Sequence, residues 1–281
     1  MVWQTLKRWY HMLGSPRYFY TFSSRVLPWL TPIALLTLAA GLIWGLAFAP
    51  ADYQQGNSYR IIFIHVPASS GALMGYMALG VSGLVAVVWR MKMAEVMLKA
   101  IAPFGAALAA ISLVTGALWG KPTWGTYWQW DARMTSMLIL LFMYVGVIAL
   151  QAVIRDPRQA ARAAGLLAMV GVINVVIVKY SVEWVQSLHQ GSTLKMFGES
   201  TIDPAMKYPL LLSMLGLWLL YAVNVLLRAR TEVLWRERRS KWVSKRGKEG
   251  EHCWLSTALP IFWPWANMDF MSGAPMESVR F

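Results

Sequence analysis

Six apolar runs dominate the chain, at 26–49, 61–89, 101–119, 134–154, 163–178 and 208–227. Most approach or exceed the ~18–20 residues that carry a helix across the hydrocarbon core of a bilayer. Within lipid every backbone N–H and C=O must bond inside the protein, which leaves only helices and closed barrels. No ten-residue alternation of apolar and polar residues occurs, which argues against a barrel. Composition agrees: the 281 residues are 57% hydrophobic and 14% charged, against roughly 25% charged in soluble domains. The sequence therefore predicts an all-α integral membrane protein built as a six-helix transmembrane bundle. The first run reads as a span rather than a cleaved leader. Ala47-Phe48-Ala49 resembles a cleavage site, but 25 residues precede the run and Pro50 follows it.

The formal net charge of +13 is unevenly placed. Twenty of the 26 Lys and Arg fall before the first run, after the second, after the fourth or after the sixth. Cytoplasmic loops carry the excess of basic residues, so both termini are expected in the cytoplasm and loops 1–2, 3–4 and 5–6 outside. The charge is then a topology signal with some attraction to anionic membrane lipid, and no nucleic-acid partner is expected. The organisation reads as a cytoplasmic N-terminal segment 1–25, a six-span domain 26–230 and a cytoplasmic tail 231–281. The tail carries Pro260, Pro264 and Pro275 and an aromatic cluster of Trp254, Phe262, Trp263 and Trp265. The single cysteine, Cys253, allows no internal disulfide, and no C-x-x-C or C-x-x-C-H occurs. Gly71 and Gly75 form a G-x-x-x-G, read as helix packing within the chain.

Four histidines occur. His11 and His252 read as surface residues of the cytoplasmic side. His65 lies a few residues into the second span, under ~10 Å from the outer surface at 1.5 Å rise per residue. Ionisable residues at such depth are costly and are candidates for function. His189 lies in outward loop 5–6. Two neutral imidazoles on opposite faces of an iron porphyrin make a stable axial pair. The same residues are also consistent with one histidine bonded inside a bundle and an unrelated one on a loop. They are too few for a closed zinc site.

Loop 3–4, residues 119–133, reads W-G-K-P-T-W-G-T-Y-W-Q-W-D-A-R, and five of its fifteen residues are aromatic. An interfacial aromatic belt explains scattered tryptophans at span ends. It explains this density, with Gly120, Pro122 and Gly125 interleaved, less well. Indole faces suit a flat apolar macrocycle, and glycine permits close backbone approach. Arg133, Arg60 and Lys121 are candidates to pair with propionate carboxylates, and Asp131 to orient Arg133 or an indole N–H.

The string 119–135 resembles the tryptophan-rich "WWD" signature of haem-handling proteins, and within them the CcmC family of the system I cytochrome c maturation pathway. The layout of six spans, the outward tryptophan-rich loop and one histidine in each flanking outward region agree with that family. The resemblance covers roughly residues 1–230. Tyr127 stands where the family has tryptophan and Met134 where it has leucine; both keep an aromatic or apolar surface. The resemblance implies a protein of the bacterial inner membrane that holds haem b on the periplasmic face and delivers it to the haem chaperone CcmE, in a complex with CcmD and the ABC transporter pair CcmA and CcmB. It implies His65 and His189 as axial ligands of the haem iron. Trp119, Trp124, Trp128, Trp130, Asp131 and Arg133 match the platform positions, with Gly120, Gly125 and Tyr127 among them. No P-loop occurs, so ATP hydrolysis belongs to a partner. No general base or nucleophile stands out, and a haem-presenting protein is expected rather than an enzyme. A haem–cytochrome c synthase should carry further haem histidines. A haem transporter usually shows interrupted spans or polar groups near the midplane.

Overall fold

The computed structural model describes residues 14–184 and 202–248. His11, His189, His252, Cys253 and the tail's aromatic cluster lie outside them. The expected six-span, all-α architecture is what forms. Among the described residues, six helices are long and apolar enough to cross a membrane. Helix α1 spans Pro16–Ile43 and continues through a π-helical turn, Trp44–Phe48. Its Ser15 cap accepts from the Tyr18 amide at 3.4 Å, and Pro16 sits in the first turn, where no donor is needed. A 3₁₀ turn, Asn57–Ile61, leads into α2, Ile62–Val88. Then follow α3 (Lys92–Trp124), α4 (Ala132–Val153), α5 (Pro157–Trp184) and α6 (Pro204–Arg236).

Helices α2, α3, α4 and α5 pack in a closed ring, each against the next and α5 against α2. Their core holds Tyr76, Leu79, Leu98, Leu140, Tyr144 and Val147. Three tyrosines lock the bundle through glycine seats on neighbouring helices. Tyr144 lies against Gly105, Tyr76 against Gly171 and Tyr221 against Gly75. A Cβ at any of the three would collide with the ring, so glycine is what lets the helices approach. The hydroxyls find backbone acceptors: Tyr144 donates to the Ala72 carbonyl at 2.7 Å and Tyr221 to that of Ile101 at 3.1 Å, as buried phenols require. The G-x-x-x-G of α2 packs within the chain, Gly71 against Leu108 and Gly75 against Tyr221. Helices α1 and α6 meet through Gly41 at Ser213 and Gly216 at Leu38.

Several helices run past the ends expected from hydropathy. Helix α3 starts at Lys92, not near 101, because Glu95 is buried and Lys99 pairs with Glu232 of α6 at 2.9 Å. Partnered charges do not end a helix. At its other end α3 carries Trp119–Trp124 as regular helix, so the stretch expected as loop from 119 becomes loop only at Gly125. Gly125 takes the left-handed conformation (φ 78°) and its N–H bonds the Lys121 carbonyl at 3.1 Å, the glycine stop of a helix C-terminus.

The chain divides into two compact units, Met1–Val233 and Leu234–Phe281. In the second, the short basic helix α7 spans Lys241–Lys248. Before that helix, Arg238 lies over the Trp235 ring at 4.5 Å.

Candidate functional site

The site lies at the end of the bundle where α2, α4 and α6 begin and α3 and α5 finish. His65 sits on the first turn of α2, with its ring toward α3. Its Nδ1 lies 3.0 Å from the Thr115 hydroxyl. One turn further along α2, the Ser69 hydroxyl donates to the His65 carbonyl at 2.8 Å and touches the hydroxyl of Ser112. Gly116 leaves room for the imidazole: a Cβ there would stand 3.1 Å from His65 Cε1.

Trp119, one turn beyond Thr115 on α3, meets the His65 ring edge-on at 5.7 Å and Tyr59 at 5.7 Å. Its indole N–H donates to the Gln55 side-chain oxygen at 2.7 Å. Gln55 is held by a compact turn in which Asp52 accepts from the amides of Gln54 and Gln55 at 2.9 and 2.8 Å. Gly56 closes that turn with φ 57°, a conformation that favours glycine. Ala49, Tyr59, Ile62, Phe63 and Leu210 pack beneath as a satellite core.

A cavity of about 280 Å³ opens beside this cluster. Of the residues expected at the site, His65, Trp119, Gly120, Trp124 and Arg133 line it. Ser69, Ser112, Met137 and Val178 line it as well. Arg133 is half-buried and reaches the Lys179 carbonyl at 3.5 Å. Lys179 lines the cavity too.

The remaining expected residues stand elsewhere. Arg60 donates to the carbonyls of Leu46 and Ala49 at 2.9 and 2.7 Å, closing the carbonyl end of α1, where a cation is favoured. Lys121 donates to the Gly125 carbonyl at 3.1 Å and lies over the Tyr127 ring at 5.3 Å. Asp131 caps α4, accepting from the Met134 amide at 2.7 Å. Trp128 and Trp130 stack edge-on at 5.4 Å. Trp130 is 76% and Tyr127 56% exposed. The buried indole nitrogen of Trp128 has no hydrogen-bond partner among the described residues.

Chemically, the arrangement offers an imidazole held against a hydroxyl, an indole beside it, an apolar slot and a guanidinium at the rim. Those features fit a planar, iron-bearing macrocycle with carboxylate arms, inserted edge-first. Thr115, Gly116 and Gln55 were not singled out from the sequence. The signal for the first two was present: residues 112, 115, 116 and 119 share one face of α3, as 62, 65 and 69 share one face of α2. Gln55 carried no such pattern.

Comparison with known proteins gives a consistent result. The family model described as CcmC, Heme exporter protein C, matches residues 9–244. A Heme exporter protein C of Escherichia coli strain K12 is 49% identical over 252 residues, covering 88% of this chain and 100% of its own length. That of Bradyrhizobium diazoefficiens is 44% identical over 228 residues, 81% of this chain and 86% of its own. That of Haemophilus influenzae is 41% identical over 236 residues, 84% of this chain and 96% of its own.

Proposed function

The chain belongs to the CcmC family, heme exporter protein C, and from that membership we propose that it holds haem b at the His65 end of its bundle. It presents that cargo to the haem chaperone CcmE for cytochrome c maturation, in a complex with CcmA, CcmB and CcmD. The observation that carries this reading is the seat of His65: an imidazole in the first turn of a membrane-spanning helix, braced by Thr115 and Trp119, at the wall of an apolar slot.

His65 and His189 are the two axial ligands in this proposal. Trp119 and Trp124 form the wall against which the ring plane rests, and Arg133 pairs with a propionate at the rim, with Lys179 in reach of the same opening. Trp128, Trp130 and Tyr127, outside the slot, cover the outward face. Bound there, haem supplies an exposed vinyl edge to the acceptor. The protein's own work is positioning, which lowers the entropic cost of the transfer, and exclusion of water from the inserted edge.

The end of the bundle opposite the site carries Arg90, Lys92, Lys99, Arg155, Arg158 and Arg162. Positive loops remain cytoplasmic. That supports a site on the periplasmic face of the bacterial inner membrane, with both termini inside. The test is transfer: full-length protein loaded with haem and mixed with haem-free CcmE should give haem-bearing CcmE, and His65→Ala should load little haem and transfer less. Loaded protein that never passes its haem to CcmE contradicts the proposal.

A further inference from the structure

Resting on the haem-ligand reading of His65, we propose that Thr115 is a positioning residue that fixes the tautomer of that histidine and so presents Nε2, not Nδ1, to the iron. The argument counts protons. A threonine hydroxyl has one to give and two lone pairs. The shortest contact of Thr115 Oγ1 is to the Ile111 carbonyl at 2.7 Å, with the Ser112 carbonyl at 3.2 Å. This is the back-bond of a hydroxyl within a helix, and it takes the proton. What Oγ1 then offers His65 Nδ1, 3.0 Å away, is a lone pair. Nδ1 must donate, and in a neutral imidazole the remaining lone pair belongs to Nε2.

The surroundings agree. Ser69 Oγ lies closer to the Ser112 hydroxyl and to the His65 carbonyl, 2.8 Å away, than to Nε2 at 3.5 Å, so Nε2 is the weakest of its contacts. Gly116 faces the Cε1 edge and leaves space for it, since a methyl there would stand 3.1 Å away. Trp119 stands edge-on at 5.7 Å. Three residues within five positions of α3 therefore brace one ring of α2. A ligating histidine whose second nitrogen donates to an outer partner is held in orientation and made more basic, and loss of that partner costs about 10–100-fold in metal affinity.

The test compares hydroxyl-free and hydroxyl-bearing variants of the full chain by haem titration and by the reduction potential of the bound iron. Thr115→Val, which keeps the shape, and Thr115→Ala should each bind haem about 10–100-fold more weakly. Their potential should shift upward, because a less basic ligand stabilises the ferric state less. Thr115→Ser should stay near the parent in both. On a His65→Ala background, Thr115→Val should change nothing further. Parent-like affinity and potential in Thr115→Val overturns the proposal, and so does a loss that tracks side-chain volume, with Ser as impaired as Ala. If His65→Ala itself retains the unaltered iron spectrum, the ligand reading fails first, and the two failures are distinguishable.

Discussion

The indole N–H of Trp119 donates to the side-chain oxygen of Gln55 over 2.7 Å, across 64 residues of sequence. The bond ties the turn after α1 to the last turns of α3. It sets the angle at which the indole meets both the cavity and the His65 ring. Gln55→Leu should remove about 1 kcal/mol of net interaction and weaken haem binding a few-fold, read by titration of purified protein. Gln55→Glu, which keeps an acceptor, should lose less. Equal affinity in Gln55→Leu and the parent would remove the bond from the account.

Arg133 and Arg60 are the same residue type at the same end of the bundle, yet only Arg133 lines the cavity. Arg133→Gln should lower affinity for haem, and should leave affinity for haem dimethyl ester, which lacks the carboxylates, at the parent's value. Arg60→Ala should act differently: with the carbonyls of Leu46 and Ala49 deprived of their donor, the turn at 50–56 should be cut faster by protease. An ester affinity that falls alongside the haem affinity in Arg133→Gln would assign that arginine a structural part instead.

The tyrosine seats hold the bundle itself. Gly105→Val places a Cβ and its two methyls where the Tyr144 ring packs, and overpacking of this kind costs about 1–3 kcal/mol. Thermal unfolding in detergent should show a clearly lower midpoint. Gly125→Ala should also destabilise, through its left-handed backbone (φ 78°) rather than through crowding, since nothing lies within 4 Å of its missing Cβ. An unchanged midpoint for Gly105→Val would mean that the ring has another place to go.

Lys99 and Glu232 join α3 to α6 at the end away from the site. Lys99 is 30% and Glu232 12% exposed, so the pair is partly shielded from screening. Lys99→Glu should lower stability by about 1 kcal/mol, and the exchange Lys99→Glu with Glu232→Lys should recover part of it without altering haem affinity.

What could be read from the sequence followed from what the bilayer demands. Apolar runs marked all six spans because lipid tolerates little else. The ends of the helices were less legible. Lys92, Glu95 and Lys99 look like loop residues, yet they continue α3, in which Glu95 is buried and Lys99 pairs with Glu232. Gly120, Pro122 and Gly125 look like loop chemistry throughout, but only Gly125 breaks the helix. Gly120 is buried against Trp124 and Pro122 is accommodated within the last turn. His65 and Trp119 could be nominated by residue type. Choosing Arg133 over Arg60 and Lys121 at the cavity required knowing that the other two are held by the carbonyls of helix ends. Thr115 and Gln55 required the register between distant segments, which no single stretch of sequence contains.

The account turns on the iron being gripped by two histidines, and the absorption spectrum of the purified, haem-loaded chain tests it most directly. The parent should give a low-spin bis-histidine spectrum, and His65→Ala and His189→Ala should each lose it or lose the haem. An unaltered bis-histidine spectrum in both single variants would contradict the account.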